Sequence, residues 1–532
     1  MITELERASI SADGLLGAGN VLHRLLAHGR NPDEQVLWTD RTWQAPDGST
    51  PEMLTLGELD QAVRACAGFH HHNGVRPRDV VAVITGSSTE YALHFLALSA
   101  LGAIPSLVHA DLPAATLRAY LDRQDAVGAL AAEHLHEHLT GLGFVHSGKE
   151  IRPEDAEHLP ADYPWRHHPD DPVIITHSSG TTGVPKAVPH THRTLLLAPL
   201  ERIRLGDNGD EGRRLVALPG NHNATISVLL SALLLRVPVL LSSDRGGAAV
   251  LAGIKEFQPG AVFAFASTYA ELSTLDLDAH DLSGIGAWYN TGDAAHETHI
   301  RALTAHGNHM VSGPGPSLRQ VPGSLFHDGL GSTEIGYVLF LVTHRPGDTG
   351  FGRRIGKPLG FAQAVVLGED GSPLPPGQVG RLGVRTPTLT PGYWNDSGTW
   401  HRQQLGGYWL TGDLVHQDPE GEFYHHDREP DAIRTAAGTV LSTSTEELLL
   451  QSRPELRECT VIGHNGEAHA LLQFANGLAP QQDLTEWVNE VLTAEHLPPV
   501  HRARAVTAGE VPLGVTGKVL KRVLRERLGA HR

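Results

Sequence analysis

A loop rich in serine, threonine and glycine contains the residues best suited to chemistry in this chain. It runs from Thr176 through Gly183 to Lys186 and follows an apolar stretch with strand character. Hydroxyl groups and backbone N–H groups of such a loop can surround a polyphosphate, and glycine lets the backbone approach it closely. Lys186 is followed by Ala187 rather than by serine or threonine, which distinguishes the loop from the common P-loop. The segment therefore predicts a phosphate-binding loop of another kind.

Four further polar segments follow along the chain: Leu330–Glu334, Tyr408–Asp413, Asp427–Arg434 and Pro512–Lys518. Taken singly they are weak signals, since a Thr-Gly-Asp is usually a turn and a lone lysine is usually solvated. In this order, the five segments resemble the motifs of the adenylate-forming (AMP-binding) superfamily, which includes acyl-CoA synthetases, peptide-synthetase adenylation domains and luciferases. The segments 391–394 and 54–59 fit as well, so the resemblance covers essentially the whole chain.

The resemblance implies that the chain uses ATP and Mg²⁺ to convert a carboxylic acid into an acyl adenylate and pyrophosphate. Because two anions must meet, cations and hydrogen-bond donors have to stabilise the charge at the α-phosphate. By resemblance, the ATP-binding residues are Ser179, Gly180, Thr181, Thr182, Gly183, Lys186, Leu330, Gly331, Ser332, Asp413 and Arg428. The implied catalytic residues are Thr333, Glu334 and Lys518, with Glu334 as the magnesium ligand.

The acid pocket is predicted around Leu218–Asn223, where relatives carry an aromatic residue or a histidine beside the substrate. His222 and Asn223 are the candidates for lining it, with a packed core histidine as the alternative. His222, Trp288 and Tyr289 together favour a flat aromatic acid.

Several positions depart from the family pattern, and the most consequential is Pro430 at the expected hinge. Proline fixes φ, whereas a hinge must absorb a large dihedral change, so Pro430 argues against a second, thioester-forming conformation. The alternative is that neighbouring residues take over the rotation. Relatives usually carry a glycine near positions 436 and 437, where this chain has Ala436 and Ala437 and the glycine comes later, at Gly438. In CoA ligases this loop contacts the thiol acceptor.

Three acceptors therefore remain for the activated group. CoA is the family default and a candidate cosubstrate. The alternatives are an amine, which gives an amide without CoA, and another nucleophile or anion such as nitrite, in secondary metabolism or antibiotic biosynthesis. A non-catalytic protein that kept the fold is the competing class, but Lys186, Glu334, Asp413 and Lys518 are all present.

The elements that must position these residues alternate between apolar strands and helices through the first 300 or so positions, as in Asp79–Ile84 followed by a helix near Glu90–Leu101. Short strands and turns dominate from about residue 351. The expected fold is α/β. A large N-terminal domain (1–427) would contain two α/β subdomains and a β-rich subdomain, and a small mobile α+β lid (428–532) would follow.

Composition limits the partners and the location. The 532 residues carry a formal net charge of −18, which argues against nucleic acid and against an anionic membrane surface. Two distant cysteines suggest a reducing compartment, and no stretch is typical of a signal peptide or a membrane span. We expect a cytoplasmic enzyme, with a homodimer as a candidate assembly. The H-x-x-E-H pattern at His134–His138 is more typical of an exposed helix than of a zinc site.

Overall fold

The computed structural model describes residues 2–40, 42–178, 184–206, 209, 212–312, 318–349, 351, 353–453, 455–474, 483–512, 514 and 519–530. Within these ranges no helix is both long enough and apolar enough to cross a lipid bilayer.

The helices begin in several cases at polar capping residues. The Thr55 hydroxyl accepts a hydrogen bond from the Glu58 N–H, and the Glu58 carboxylate accepts one from the Thr55 N–H. This capping box supplies partners to N–H groups that the first helical turn cannot satisfy. In chain order the helices are α1 (Glu4–Ala12), α2 (Val21–Ala27), α3 (Leu56–His72), α4 (Ser88–Ala100), α5 (Ala114–Arg123), α6 (His192–Arg204), α7 (Asn223–Leu235), α8 (Gly247–Phe257), α9 (Ala266–Leu272), α10 (Glu297–Thr304), α11 (Ser397–Arg402), α12 (Ser442–Ser452), α13 (Leu484–Ala494) and α14 (Lys521–Ala530).

The strands are short, and most belong to three large sheets. In chain order they are β1 (Gln35–Thr39), β2 (Met53–Thr55), β3 (Val80–Ile84), β4 (Ile104–Leu107), β5 (Gly128–Ala131), β6 (Val145–His146), β7 (Pro172–His177), β8 (Ala187–Thr191), β9 (Arg214–Ala217), β10 (Val239–Leu241), β11 (Ala261–Phe265), β12 (Ala287–Thr291), β13 (Asn308–Ser312), β14 (Leu318–Pro322), β15 (Leu325–Gly331), β16 (Val338–His344), β17 (Arg354–Gly356), β18 (Gln363–Leu367), β19 (Gly380–Arg385), β20 (Gln404–Leu405), β21 (Tyr408–Gln417), β22 (Phe423–Arg428), β23 (Ile433–Thr435), β24 (Gly438–Val440), β25 (Leu456–His464), β26 (Glu467–Phe474) and β27 (Arg502–Ala505).

Two of these sheets are mainly parallel and form the α/β part of the chain. One has the order β6-β5-β3-β4-β7-β8, and the other has the order β16-β15-β12-β11-β9-β10-β1-β2. Every residue of β3 is buried, as expected for a parallel strand with helices on both faces of its sheet. A core drawn largely from α3, α4 and α7 contains residues of both sheets. This arrangement confirms the predicted α/β fold class with two α/β subdomains.

A third, antiparallel sheet has the order β17-β22-β21-β19-β18, with β20 paired to β21. Its first strand begins at Arg354, and the bound of about residue 351 for the β-rich subdomain stays a prediction. In this sheet Asp413 on β21 is paired with Arg428 on β22, so the register places two predicted site residues side by side.

The chain after β22 forms a smaller α+β unit. The sheet β25-β26-β27 packs with α12 and α13 around its own core, which includes Leu449, Val461 and Leu492. His296, just before α10, reaches this unit through an ion pair of 2.6 Å between its Nδ1 atom and the Glu447 carboxylate on α12. The boundary between residues 427 and 428 stays a prediction.

Candidate active site

The predicted phosphate loop lies between β7 and β8. Residues 179–183 of the loop and Lys518 lie outside the described part of the chain, so Ser179, Gly180, Thr181, Thr182 and Gly183 receive no structural account. The two ends of the loop are adjacent, because β7 and β8 pair in antiparallel fashion from His177 and Ala187 onward. The Lys186 N–H also donates to Ser178 Oγ at 3.4 Å. Lys186 therefore lies directly before the first residue of the antiparallel pair β7–β8 on its second strand.

The segment Leu330–Glu334 begins at the end of β15 and is held by one strand and one helix. The His190 Nε2 atom on β8 donates to the Thr333 carbonyl at 2.7 Å. The Asn223 side-chain amide, at the start of α7, donates to the Gly336 carbonyl at 2.8 Å. Gly336 has φ of +76°, and a Cβ there would meet the His190 ring at 2.5 Å, so glycine is required. Thr333 and Glu334 are thus presented on a rigid turn.

Glu334 and Lys186 are connected through a tyrosine. The Tyr393 hydroxyl lies 2.9 Å from Glu334 Oε1, and Lys186 Nζ donates to the same hydroxyl at 3.3 Å. The ammonium also lies over the Tyr393 ring, 4.8 Å from its centroid. Burial lowers the pKa of Lys186, although Glu334 opposes this shift. A buried carboxylate and a lysine across one hydroxyl can hold a cation and phosphate oxygens together.

Asp413 forms the second charged centre. Its Oδ1 atom lies 3.4 Å from Arg428 Nη1 and 3.4 Å from His425 Nε2. Burial favours the neutral acid, but Arg428 and His425 outweigh it and hold the pKa of Asp413 well below its usual range. Asp413 is therefore an ionised acceptor at neutral pH, suited to bind paired hydroxyl groups.

The predicted hinge is a closed turn directly after β22. The Asp431 N–H donates to the Arg428 carbonyl at 2.9 Å, with Glu429 and Pro430 between them. The Glu429 N–H donates to the Gly412 carbonyl at 2.8 Å, and its carboxylate pairs with Arg381 at 2.6 Å. The exposed Pro430 thus lies in a turn whose flanking residues are bound to the β-rich sheet.

The two predicted pocket residues have different surroundings. His222 is the N-cap of α7, is partly buried, and has its ring edge-on to Phe265 with centroids 5.3 Å apart. Asn223 is buried and its amide binds Gly336, so it positions the Thr333–Glu334 turn. Trp288 lies in a core on the other face of β12 and donates to Ser324, whereas Tyr289 is partly exposed.

Sequence reasoning missed the roles of Tyr393, His190 and His425. Tyr393 lies in the segment 391–394 that fits the family pattern, which was a usable signal. The partners of His190 and His425 follow from strand pairing and are not visible in the sequence. Among the described residues, no group of three histidine, cysteine, aspartate or glutamate side chains could hold a metal ion. His134 and His138 lie in the 3₁₀ helix Glu133–Leu139.

Known proteins resemble this chain along essentially its whole length. A family model described as AMP-binding enzyme matches residues 28–394. The chain is 55% identical to 3-aminoavenalumate diazotase of a Streptomyces species, over 100% of this chain and 99% of the relative. It is 27% identical to 3-amino-2-hydroxy-4-methoxybenzoate diazotase of Streptomyces cremeus, over 84% and 85% of the two chains. A solved anthranilate CoA ligase in complex with anthranoyl-AMP superposes with a TM-score of 0.81 at 22% identity, covering 97% of this chain and 98% of that one.

Proposed function

The chain belongs to the family of AMP-binding enzymes, which are ATP-dependent adenylate-forming ligases, and we propose that this member is a diazotase. The observation that carries the proposal is the 55% identity to 3-aminoavenalumate diazotase along the whole chain. The second diazotase relative is named for an amino-substituted benzoate. Both names describe a substrate with an amino group and a carboxylate, so an amino-substituted aryl acid is the substrate class we propose.

The proposed reaction begins with nitrite, one of the acceptors that the sequence leaves open. A nitrite oxygen attacks the α-phosphate of ATP, a new O–P bond forms, and pyrophosphate leaves. The amino nitrogen of the aryl acid then attacks the nitrosyl nitrogen, the N–O bond to AMP breaks, and the amine loses a proton. Protonation and loss of water from the N-nitroso product leave the aryl diazonium ion. ATP therefore converts one nitrite oxygen into a good leaving group, AMP. Without ATP, nitrite gains a leaving group only in acid, where protonation lets water depart.

The residues of the site have the following proposed roles. Asp413, with Arg428 beside it, binds the ribose hydroxyls, and Lys186 binds the terminal phosphates together with Ser179, Gly180, Thr181, Thr182 and Gly183. Thr333 donates to the α-phosphate, and Lys518 stabilises the charge that develops there. Leu330, Gly331 and Ser332 border the adenine.

Glu334 fits Mg²⁺, because it is a buried carboxylate beside a lysine and a phosphate-binding loop, and Mg²⁺ takes few protein ligands when it binds a nucleotide. When bound, Mg²⁺ neutralises charge on the phosphates and so favours departure of pyrophosphate. Tyr393 would keep the Glu334 carboxylate in place for this role.

The turn at Pro430 supports a reaction without CoA. Its flanking residue Glu429 is bound to Arg381 and to the Gly412 carbonyl, and proline limits rotation at the same point. A diazotase needs no entry of a long thiol cosubstrate, so both steps can take place with the C-terminal unit in one position. CoA remains the comparator in the test.

The test incubates the purified chain with Mg-ATP and 3-aminoavenalumate at neutral pH, with nitrite, with CoA, with both and with neither. Diazonium is trapped by azo coupling to a naphthol, and AMP and thioester are followed by mass spectrometry. We expect one AMP per diazonium ion, formed only when ATP and nitrite are both present. A thioester that forms with CoA and without nitrite, together with no azo product, would overturn the proposal in favour of an acid–CoA ligase.

A matched pair of variants ties the activity to the site. Glu334→Gln should abolish most AMP and azo product, because it removes the charge proposed to hold Mg²⁺. Glu422→Gln changes a carboxylate in the β-rich sheet that pairs with Arg354 at 3.2 Å, and it should leave the activity unchanged.

A further inference from the structure

Three rings lie side by side on the face of the second α/β sheet that α6 and α7 cover. Phe263 on β11, Tyr289 on β12 and His327 on β15 share one row of the parallel register. Phe263 and Tyr289 stack with centroids 4.4 Å apart, and Tyr289 and His327 stack with centroids 4.5 Å apart. All three are partly exposed, although the neighbouring residues on the opposite face, such as Trp288 and Phe326, are completely buried. The row therefore presents a flat, partly exposed aromatic surface on this face of the sheet.

Helices α6 and α7 lie over this surface. Phe263 packs against the same core as Leu200 of α6 and Val228 of α7, and all three are only partly buried. His222 and Phe265 lie at one end, edge to face with each other. Further along β15, the chain from His327 reaches Leu330 of the nucleotide motif within three residues, or about 10 Å. We name the region between the ring row and α6–α7 the aromatic slot.

Two guanidinium groups, those of Arg202 and Arg345, lie near the end of the aromatic slot beside His327. A third, that of the buried Arg214, lies 5.9 Å from the centroid of the Phe263 ring at the other end of the row. Arg202, on α6, donates from Nη1 to the Tyr337 hydroxyl at 3.3 Å. Burial, together with the nearby Arg202 and Arg345, lowers the pKa of His327 to about 4. His327 is consequently neutral at neutral pH, and the guanidinium groups supply the charge at this end.

Arg202 is connected to the nucleotide motif along α6 and through Tyr337, which follows Glu334 by three residues. α6 begins at His192, next to His190, which binds the Thr333 carbonyl. Ten residues of helix separate His192 from Arg202, which corresponds to about 15 Å. α6 thus has the nucleotide motif beside its first residue and Arg202 in its last turn.

We propose that Arg202, with Tyr337 beside it, binds the carboxylate of the amino-substituted aryl acid and so directs its amino group toward the nucleotide motif. This inference rests on the proposed function, since it takes the amine as the group that must reach the activated nitrosyl. A guanidinium is suited to bind a carboxylate through two hydrogen bonds, and a flat ring is suited to the flat surface that the ring row presents. Holding the carboxylate at the far end also keeps it from competing with nitrite for the α-phosphate.

The orientation is opposite to that in an enzyme that activates the acid itself. In such an enzyme the carboxylate must lie against the α-phosphate, and a guanidinium at the far end would contribute nothing to its binding. Arg202 is therefore a specificity-determining residue whose removal distinguishes the two orientations.

The test measures binding by calorimetry, in the presence of a nonhydrolysable ATP analogue and without nitrite, so that it does not depend on turnover. The ligands are 3-aminoavenalumate and its uncharged carboxamide. We expect the wild type to prefer the carboxylate by at least about tenfold, as for a hydrogen-bonded charge pair. Arg202→Gln should bring the ratio of the two dissociation constants close to one, mainly by weakening the carboxylate. Arg202→Lys should keep part of the preference.

The control is Arg204→Gln, two residues along on the same helix. Arg204 is exposed and pairs with Glu201 at 2.6 Å, so the preference should not change. If Arg202→Gln loses the native circular dichroism spectrum, the ratio of the two dissociation constants is measured on Arg202→Lys and Tyr337→Phe instead. Each of these variants is expected to lower the preference for the carboxylate about threefold. A ratio that stays at the wild-type value in all the folded Arg202 and Tyr337 variants overturns the inference.

Azo coupling on the same proteins separates this inference from the proposed function. Without any diazonium from the wild type the proposed function fails, whereas the binding ratio still decides the role of Arg202. With diazonium from the wild type, Arg202→Gln should raise KM for the carboxylate and leave kcat within a few-fold. An equal loss of kcat for the carboxylate and the carboxamide would contradict a role in binding the carboxylate.

Discussion

Tyr393 contacts both Lys186, predicted to bind the phosphates, and Glu334, predicted to bind magnesium. Its hydroxyl lies between Lys186 and Glu334, and its ring supports the lysine ammonium. Burial and the nearby Glu334 raise the pKa of the phenol, so it stays protonated and can donate to the carboxylate. The tyrosine therefore fixes the direction of Glu334 before any nucleotide binds.

Replacing Tyr393 by phenylalanine should lower the rate of AMP formation about tenfold, because a buried carboxylate loses a donor at a cost of about 1–3 kcal/mol. The concentration of Mg²⁺ needed for half-maximal rate should rise as well. The measurement is pyrophosphate release as a function of Mg²⁺. Tyr424→Phe is the matched control, since that hydroxyl lies 3.2 Å from Asp418 in the same sheet. Equal Mg²⁺ curves for both variants would contradict the role given to Tyr393.

At the scale of elements, the turn after β22 combines a rigid residue with anchored neighbours. Pro430→Ala should leave AMP formation within about threefold, because the site residues on β21 and β22 are unchanged. It should nevertheless increase tryptic cleavage at Arg428 or Arg434 several-fold, since alanine lets the turn open more often. Cleavage is followed by mass spectrometry of the fragments. Pro376→Ala, in an exposed turn of the β-rich subdomain, should not alter it. Unchanged cleavage in Pro430→Ala would mean that Pro430 does not restrict this segment.

The elements themselves are largely predictable from the sequence, whereas their mutual contacts are not. The apolar run at 79–84 predicts β3, and the apolar stretch from Thr225 predicts α7 followed by β10, because buried strands and helices require such runs. The strand β12 shows what periodicity misses. Both of its faces are covered, so the sequence has no polar alternation to show that Trp288 enters a core and Tyr289 faces α6–α7.

Contacts between residues far apart in the chain also cannot be predicted from the sequence. Asn223 is predicted to line the pocket, but its amide binds Gly336, 113 residues away. The link from Lys186 to Tyr393 spans 207 residues. Such pairs depend on how the sheets pack, and a single sequence carries no record of that packing. The positions of the motifs are predictable, and the residues that brace them are not.

At the scale of the whole molecule, many histidines are held neutral by the fold. Burial lowers the pKa of His94, His177, His299, His327, His344 and His426 to about 4, that of His192 to about 3, and that of His70 well below its ordinary value. The unfolded chain takes up these protons near pH 6.5, at about 1.4 kcal/mol for each pKa unit of difference. The stabilisation that these neutral histidines contribute is therefore fully present above pH 6.5 and is lost as the pH falls toward 4.

Paired carboxylates add to this acid sensitivity. Burial alone would raise the pKa of Glu447, but His296 and Arg353 lower it to about 2, so its contribution is lost below the unfolded pKa. Asp328 acts in the opposite direction, because burial raises its pKa to about 6. Burial also raises the pKa of Asp60, Glu90, Glu446 and Glu458, but the eight histidines outnumber these five carboxyl groups. We expect the free energy of unfolding to be highest near neutral pH and to fall steeply between pH 6.5 and 4.

Urea unfolding at a series of pH values measures this dependence. His94→Gln should reduce the slope of stability against pH below 6.5 by about one proton, because the buried His94 no longer titrates on unfolding. His134→Gln, at an exposed position, is the control and should leave the slope of the free energy of unfolding against pH unchanged. A flat profile between pH 7 and 5 would show that the buried histidines do not control acid stability.

The stacking of Tyr289 between Phe263 and His327 affects how quickly an enzyme with the proposed activity would be inactivated by its own product. A diazonium ion is an electrophile that attacks phenol rings from above their plane and forms stable azo adducts. Both faces of Tyr289 are already covered, with centroids about 4.5 Å away on each side. The arrangement therefore shields Tyr289, the one tyrosine of these three stacked rings, from covalent damage by the diazonium ion that the proposed reaction forms. His327→Ala uncovers one face, so prolonged turnover should then tag Tyr289 with the aryl azo mass and shorten the working life of the enzyme.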